Sequence, residues 1–214
     1  MIISHEHQDY IKQWIGAGIN RYNGAYYYSK EIVKNIIPKV ETSRNWLTIR
    51  IPGIAVDHSI VFIHNNKIPG LYNYLRPCKD LVLVCGITET CEKMKYLGKA
   101  IYLPLSIDVA EVEKYKTKKT KQAAFVGRPA KRSGLKLPEG IDILEGLPRE
   151  QLLTEMAKYK EVYAVGRCAV EARCLGCKLK PYDPRFKHTN RWRVLDNSEA
   201  AEILQKKLER IDDN

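Results

Sequence analysis

The run Leu81-Val82-Leu83-Val84-Cys85-Gly86-Ile87-Thr88-Glu89-Thr90-Cys91-Glu92-Lys93-Met94-Lys95-Tyr96-Leu97-Gly98-Lys99-Ala100-Ile101-Tyr102-Leu103-Pro104 decides the fold class. Leu81–Cys85 is an uninterrupted apolar stretch, the signature of a buried strand. Gly86 turns the chain, and Thr88 is placed to cap a helix that runs to Leu97. Glu89 and Glu92 favour the positive end of that helix, and Gly98 suits its close. Lys99–Leu103 then reads as a second strand, ended by Pro104. A strand, a helix and a strand in this order imply a parallel pair covered by its crossover.

The same alternation extends outward. His58–Ile63 is a β-branched and aromatic run that ends in the turn His64-Asn65-Asn66. Leu71–Arg76 reads as a short helix stopped by Pro77. Before residue 58, Tyr26–Tyr28 and Trp46–Ile51 read as strands and Lys30–Ile37 as a helix, while Gly16-Ala17-Gly18 is a candidate phosphate turn. Downstream, Glu113–Lys121 is polar and basic and reads as a connection. Beyond it, strands are expected at Ala123–Val126, Ile141–Leu144, Val162–Val165 and Leu179–Tyr182. Helices are expected from Pro148 to Tyr159 and from Arg167 to Leu175, the second ended by Gly176. A final helix capped by Asn197-Ser198 carries Ala200, Ile203, Leu204, Leu208 and Ile211 at helical spacing. The expectation is an α/β protein of two Rossmann-like halves, residues 1–108 and 122–214, joined by a basic linker over 109–121. Their parallel sheets face each other across a cleft, with ligands at the carboxyl ends of the strands.

Thirty-six Lys and Arg against 25 Asp and Glu give a formal net charge of +11 over 214 residues. That excess favours a polyanion, an anionic surface or a phosphorylated substrate. No apolar run approaches the roughly 20 residues needed to span a bilayer. The N-terminus becomes polar too early for a secretory signal, so a cytoplasmic location without a transmembrane segment is expected. The six cysteines then read as small buried thiols. Cys174 and Cys177 have zinc spacing but no second pair, and a zinc module would need Cys168 or His188 as well. No metal and no resident cofactor are expected.

Phe125-Val126-Gly127-Arg128, then Ile143-Leu144-Glu145-Gly146, then Gly166 followed by Glu171-Ala172-Arg173-Cys174-Leu175-Gly176 occur in that order. Together they resemble the C-terminal half of GT-B glycosyltransferases, and Leu103–Asp108 is similar to the segment that precedes the crossing between their halves. The resemblance covers roughly residues 58–211. It implies transfer of a sugar from a nucleoside-diphosphate sugar, with Gly127 and Gly166 at the donor and Glu171 accepting hydrogen bonds from the ribose. Arg128 and Lys131, just beyond a strand end, suit the charge that grows on a departing diphosphate. The amides around Gly166 and Arg167 add a helix N-terminus, itself an anion site. Tyr163 stands where many retaining members carry a second glutamate, and Lys178 stands where the family has proline.

A catalytic base is expected from the N-terminal half. His64 at a strand end is the first candidate and Asp57 the second, with His58, His5 and His7 as further alternatives. For the acceptor, Arg185, Lys187, Arg191, Trp192 and Arg193 interleave charge with aromatic faces, a mixture suited to phosphate contact and base stacking. A small basic enzyme of this kind fits the modification of nucleic-acid bases, as some bacteriophage enzymes carry out. The alternative is a non-catalytic nucleotide or nucleic-acid binding protein on the same fold.

Overall fold

The structure is a computed structural model that describes residues 1–4, 24–48, 56–63, 73, 75–127, 137–180, 182 and 191–213. In chain order its elements begin with β1 (Ile2–Ile3) and α1 (Gly24–Glu31), which runs on through a π-helical turn and a 3-10 turn to Lys39. Then come β2 (Asn45–Leu47), β3 (Ser59–Ile63), β4 (Leu81–Cys85), α2 (Thr88–Met94) and β5 (Lys99–Tyr102). The remainder comprises α3 (Val109–Glu113), β6 (Lys121–Val126), β7 (Asp142–Leu144), α4 (Arg149–Met156), β8 (Tyr159–Tyr163), α5 (Arg167–Cys174), β9 (Lys178–Lys180) and α6 (Asn197–Asp212).

The protein is α/β, with one five-stranded and one four-stranded sheet and parallel pairing throughout both. Two compact units result: residues 1–104 with 198–214, and residues 105–197. The first unit therefore recovers the C-terminal helix, and the 109–121 stretch read as a linker lies inside the second unit. That stretch is structured. Lys114 and Lys116 pair with Glu111 and Glu113, and Lys119 Nζ donates to the carbonyls of Ala157 and Leu175 at 2.8 and 2.7 Å. Those carbonyls close α4 and α5, where a cation meets the negative helix ends.

In the first unit, β3 and β4 are buried along their whole lengths. Strand alternation divides their side chains between two faces. Val61, Ile63, Leu81, Leu83 and Cys85 pack with Cys91 and Met94 of α2 on one face. On the other, the Phe62 ring meets Trp46 at 6.3 Å and Tyr28 of α1 at 6.4 Å. This burial explains why Tyr26–Tyr28 is helical, contrary to the strand expected there. Aromatic β preference is weak, and helical packing of Tyr28 overrides it. Ile87, without a side-chain cap, precedes α2 in place of Thr88.

In the second unit the helix expected to reach Tyr159 stops at Met156, and Tyr159 opens β8. The amides of Thr120 and Lys121 both donate to the Lys158 carbonyl, which starts the β6–β8 pairing. Tyr159 is buried, and its hydroxyl donates to Asp142 Oδ2 at 2.7 Å. Among the described residues no helix is long and apolar enough to cross a membrane.

Candidate functional site

The four-stranded sheet has the order β7-β6-β8-β9. The chain leaves β6 towards β7 on one side, then returns across β6 to β8 on the other. Connections leaving the carboxyl ends of the adjacent strands β6 and β8 therefore diverge, and such a reversal opens a crevice where α/β sheets hold ligands. Glycines follow each strand end there: Gly127 after β6, Gly146 after β7 and Gly166 after β8. A Cβ on Gly127 would stand 2.9 Å from the Phe125 ring, so the backbone turns tightly over that buried side chain. Gly166 has φ 67° and ψ −140°, a conformation that L side chains rarely adopt. Among the described residues nothing lies within 4 Å of where its Cβ would be, and the space beside the start of α5 is open.

Behind that opening stands a buried ionic cluster. Glu171 Oε1 accepts from Arg149 Nη1 of α4 and from Arg167 Nε of α5, the latter at 2.7 Å. Glu171 and Arg167 side chains are 3% and 6% exposed and Arg149 is 16% exposed. So deep a carboxylate is held by its two guanidinium partners, and its first task is to fix their positions. Arg149 went unrecognised as a site residue in the sequence, because it lies on α4 and its acid on α5, while Arg167 entered only through its backbone amide. Gly127 and Gly166 thus follow the carboxyl ends of two adjacent strands, Glu171 lies buried on the helix that Gly166 precedes, and Arg128 and Lys131 lie outside the described residues.

The chain matches no protein-family model and no curated protein.

The other candidates are scattered. His64, His5 and His7 lie outside the described residues, as do Arg185 and Lys187. Asp57 sits before the amino end of β3, where its Oδ1 accepts from the Lys79 amide at 2.7 Å. That bond braces a turn at the end of the sheet opposite the strand carboxyl termini. Trp192 is 2% exposed, which removes the face on which an unpaired base was expected to stack. Arg193 is exposed and Arg191 half-buried, so phosphate contact is the role left to this pair.

The cysteines bear on zinc. Cys177 Sγ lies 3.2 Å from Lys119 Nζ and 3.5 Å from the Met156 carbonyl. Burial pushes the Cys174 thiol up to about 11, and it also raises Cys177. Among the described residues no group of three or more His, Cys, Asp or Glu side chains is arranged to hold a metal ion.

Proposed function

We propose that the second unit binds a nucleoside-diphosphate sugar at the glycine-bordered edge and that the protein transfers the sugar, as a GT-B-like glycosyltransferase. The observation that carries this reading is the strand-order reversal at β6 and β8, with Gly127 and Gly166 at the two diverging strand ends. A diphosphate needs close backbone approach, donors and positive charge. The open space at Gly166, the start of α5 and the fixed guanidinium groups of Arg149 and Arg167 are suited to supply them. In this proposal Glu171 acts first by holding the two arginines, and its ribose contact follows only if the ligand reaches the buried carboxylate.

The acceptor is proposed to be polyanionic, with a nucleic-acid base the first candidate, on the strength of the +11 charge and the exposed Arg193. A second reading, binding without transfer, is favoured by Tyr163 at the end of β8, where a catalytic glutamate of the resembled family would stand.

Calorimetric titration with a panel of nucleoside diphosphates and their sugars tests the donor site. Mass spectrometry of DNA and lipid acceptors then tests transfer. Nucleotide binding with no modified acceptor would favour the second reading, and absence of any nucleotide binding would remove the donor site and leave only nucleic-acid binding.

A further inference from the structure

Three polar residues in the first unit each stand just before a strand: Ser43 before β2, His58 before β3 and Asp80 before β4. The parallel register pairs Asn45 with Ser59 and Ser59 with Leu81, which lines up the amino ends of these strands. Neighbouring strands lie about 4.8 Å apart. The three side chains therefore meet in a row, with His58 in the middle. Ser43 Oγ is 3.0 Å from His58 Nε2, and His58 Nδ1 is 2.6 Å from Asp80 Oδ2.

These are the distances and the order of a nucleophile, a base and an orienting acid. In the neutral tautomer that donates Nδ1–H to Asp80, the Nε2 lone pair of the imidazole faces the Ser43 hydroxyl. The acid is anchored in turn. Arg44 Nη1 lies 3.0 Å from Asp80 Oδ2 and also donates to the Asp80 carbonyl at 3.1 Å. The hydrogen bond from His58, joined by Arg44, holds the Asp80 carboxyl below its ordinary value and so keeps it ionised.

The backbone is fixed on every side. The His58 amide donates to the Lys79 carbonyl, and the His58 carbonyl accepts from the Asn45 amide, both at 2.9 Å. The Arg44 amide donates to Thr42 Oγ1 and closes the turn that carries Ser43. Among the described residues His58 and Asp80 are the two non-glycine positions with positive φ, each at 52°. Such conformations persist where surrounding structure over-determines them, and they gather at functional sites. His58 and Asp80 are 46% and 45% exposed and Ser43 is exposed, so a substrate can reach the row.

The geometry points to a second, separate activity: Ser43, His58 and Asp80 form a nucleophilic triad that hydrolyses carboxylic esters at the amino edge of the first sheet. Ser43 Oγ bonds to the ester carbonyl carbon while its proton passes to His58 Nε2. The C–O bond to the alcohol breaks, and the departing oxygen takes that proton. Water then gives a proton to His58 and bonds to the acyl carbon, the Ser43 Oγ–carbon bond breaks, and Oγ takes the proton back from His58 as the carboxylic acid leaves. Ester and water become acid and alcohol, with no change in oxidation state.

The test uses the intact protein with two probes, a fluorophosphonate and p-nitrophenyl acetate. Peptide mapping is expected to place the phosphonyl group on Ser43, and Ser43→Ala to abolish that adduct with an unchanged circular-dichroism spectrum. His58→Gln is expected to slow ester hydrolysis about a hundredfold or more, the usual scale for a lost general base. Nucleotide affinity should be the same in Ser43→Ala as in the natural chain, which separates this site from the proposed donor site. Absence of an adduct on Ser43 in the folded natural protein would overturn the assignment. So would ester hydrolysis by Ser43→Ala at the natural rate.

Discussion

At the scale of single residues, Glu171 shows how a motif reading can pass over a structural role. The segment around it resembles a ribose-binding pattern, yet its carboxylate is shared by Arg149 and Arg167 in a buried cluster. Removing one member of such a cluster is costly, because the remaining charges stay out of water. Glu171→Ala should therefore lower stability by about 3–5 kcal/mol, with Glu171→Gln losing less because it keeps an acceptor in place. Urea unfolding of both variants measures this. A loss below about 1 kcal/mol in the alanine variant would show that the cluster contributes little.

Asp80 gives a pH-dependent counterpart. Its folded carboxyl is held below the ordinary carboxylate value by His58 and Arg44, so its stabilisation is complete above that range. It fades as acid titrates the folded group. The side chain is nearly half exposed, so the effect should stay within about 1 kcal/mol. Asp80→Asn should flatten the acid limb of the stability curve by that amount and leave neutral unfolding little changed beyond it. An acid limb that superimposes on that of the natural protein would count against the predicted linkage.

Neither Arg149 nor the Ser43–His58–Asp80 row was legible in the sequence as a group. Ser43 and His58 are 15 positions apart, and His58 and Asp80 are 22 apart. Only strand register brings them together. The signal that was present, a polar residue just before each of three apolar runs, is shared with ordinary turns.

At the scale of elements, apolar runs were the most readable feature. Leu81–Cys85 and Phe125–Val126 are strands because their side chains have water on neither face. The ends were harder to read. Tyr159 looked like a helix terminus by sequence, but its buried ring and its bond to Asp142 belong to β8. Gly166 was legible as the approach to a helix, although its backbone geometry was not. At φ 67° and ψ −140°, with open space where a Cβ would go, alanine there meets conformational strain and no collision. Gly166→Ala should destabilise the protein by about 1–3 kcal/mol through the backbone alone. The same substitution should weaken nucleotide binding, since the start of α5 must shift to relieve the strain. Chemical denaturation and calorimetry on one preparation check both effects. Unchanged stability would mean that the turn relaxes freely and that its geometry does not shape the site.

At the scale of the whole molecule, the chain starts and ends in the same unit, an arrangement hidden from a reading that proceeds along the sequence. The apolar spacing of the last helix was legible, but spacing does not say which sheet a helix serves. Residues 198–214 belong with residues 1–104. Ala200, Ala201, Leu204 and Leu208 are buried, and polar contacts fix the register of the helix. Gln205 accepts from the Glu41 amide at 2.8 Å, Lys207 Nζ donates to the Tyr102 carbonyl at 2.9 Å, and Asp212 accepts from Arg44 at 2.7 Å. These bonds reach the segment before β2, the end of β5 and the start of β2, so α6 ties together strands at both sides of the first sheet. Burial of a leucine is worth about 1.5–3 kcal/mol, so Leu204 and Leu208 alone represent a large part of a typical domain stability of about 5–15 kcal/mol. Deletion of residues 198–214 should therefore cost the first unit most of its cooperative stability. Arg44 would lose Asp212, and the brace behind Asp80 would loosen with it. Hydrogen exchange with mass spectrometry is the direct measurement. Amides of β2, β3 and β5 should lose protection in the truncated chain, while those of β6 and β8 keep theirs. Equal protection of β2 and β5 in both chains would show that the sheet holds without the helix, and the contacts of Lys207 and Asp212 would then be incidental.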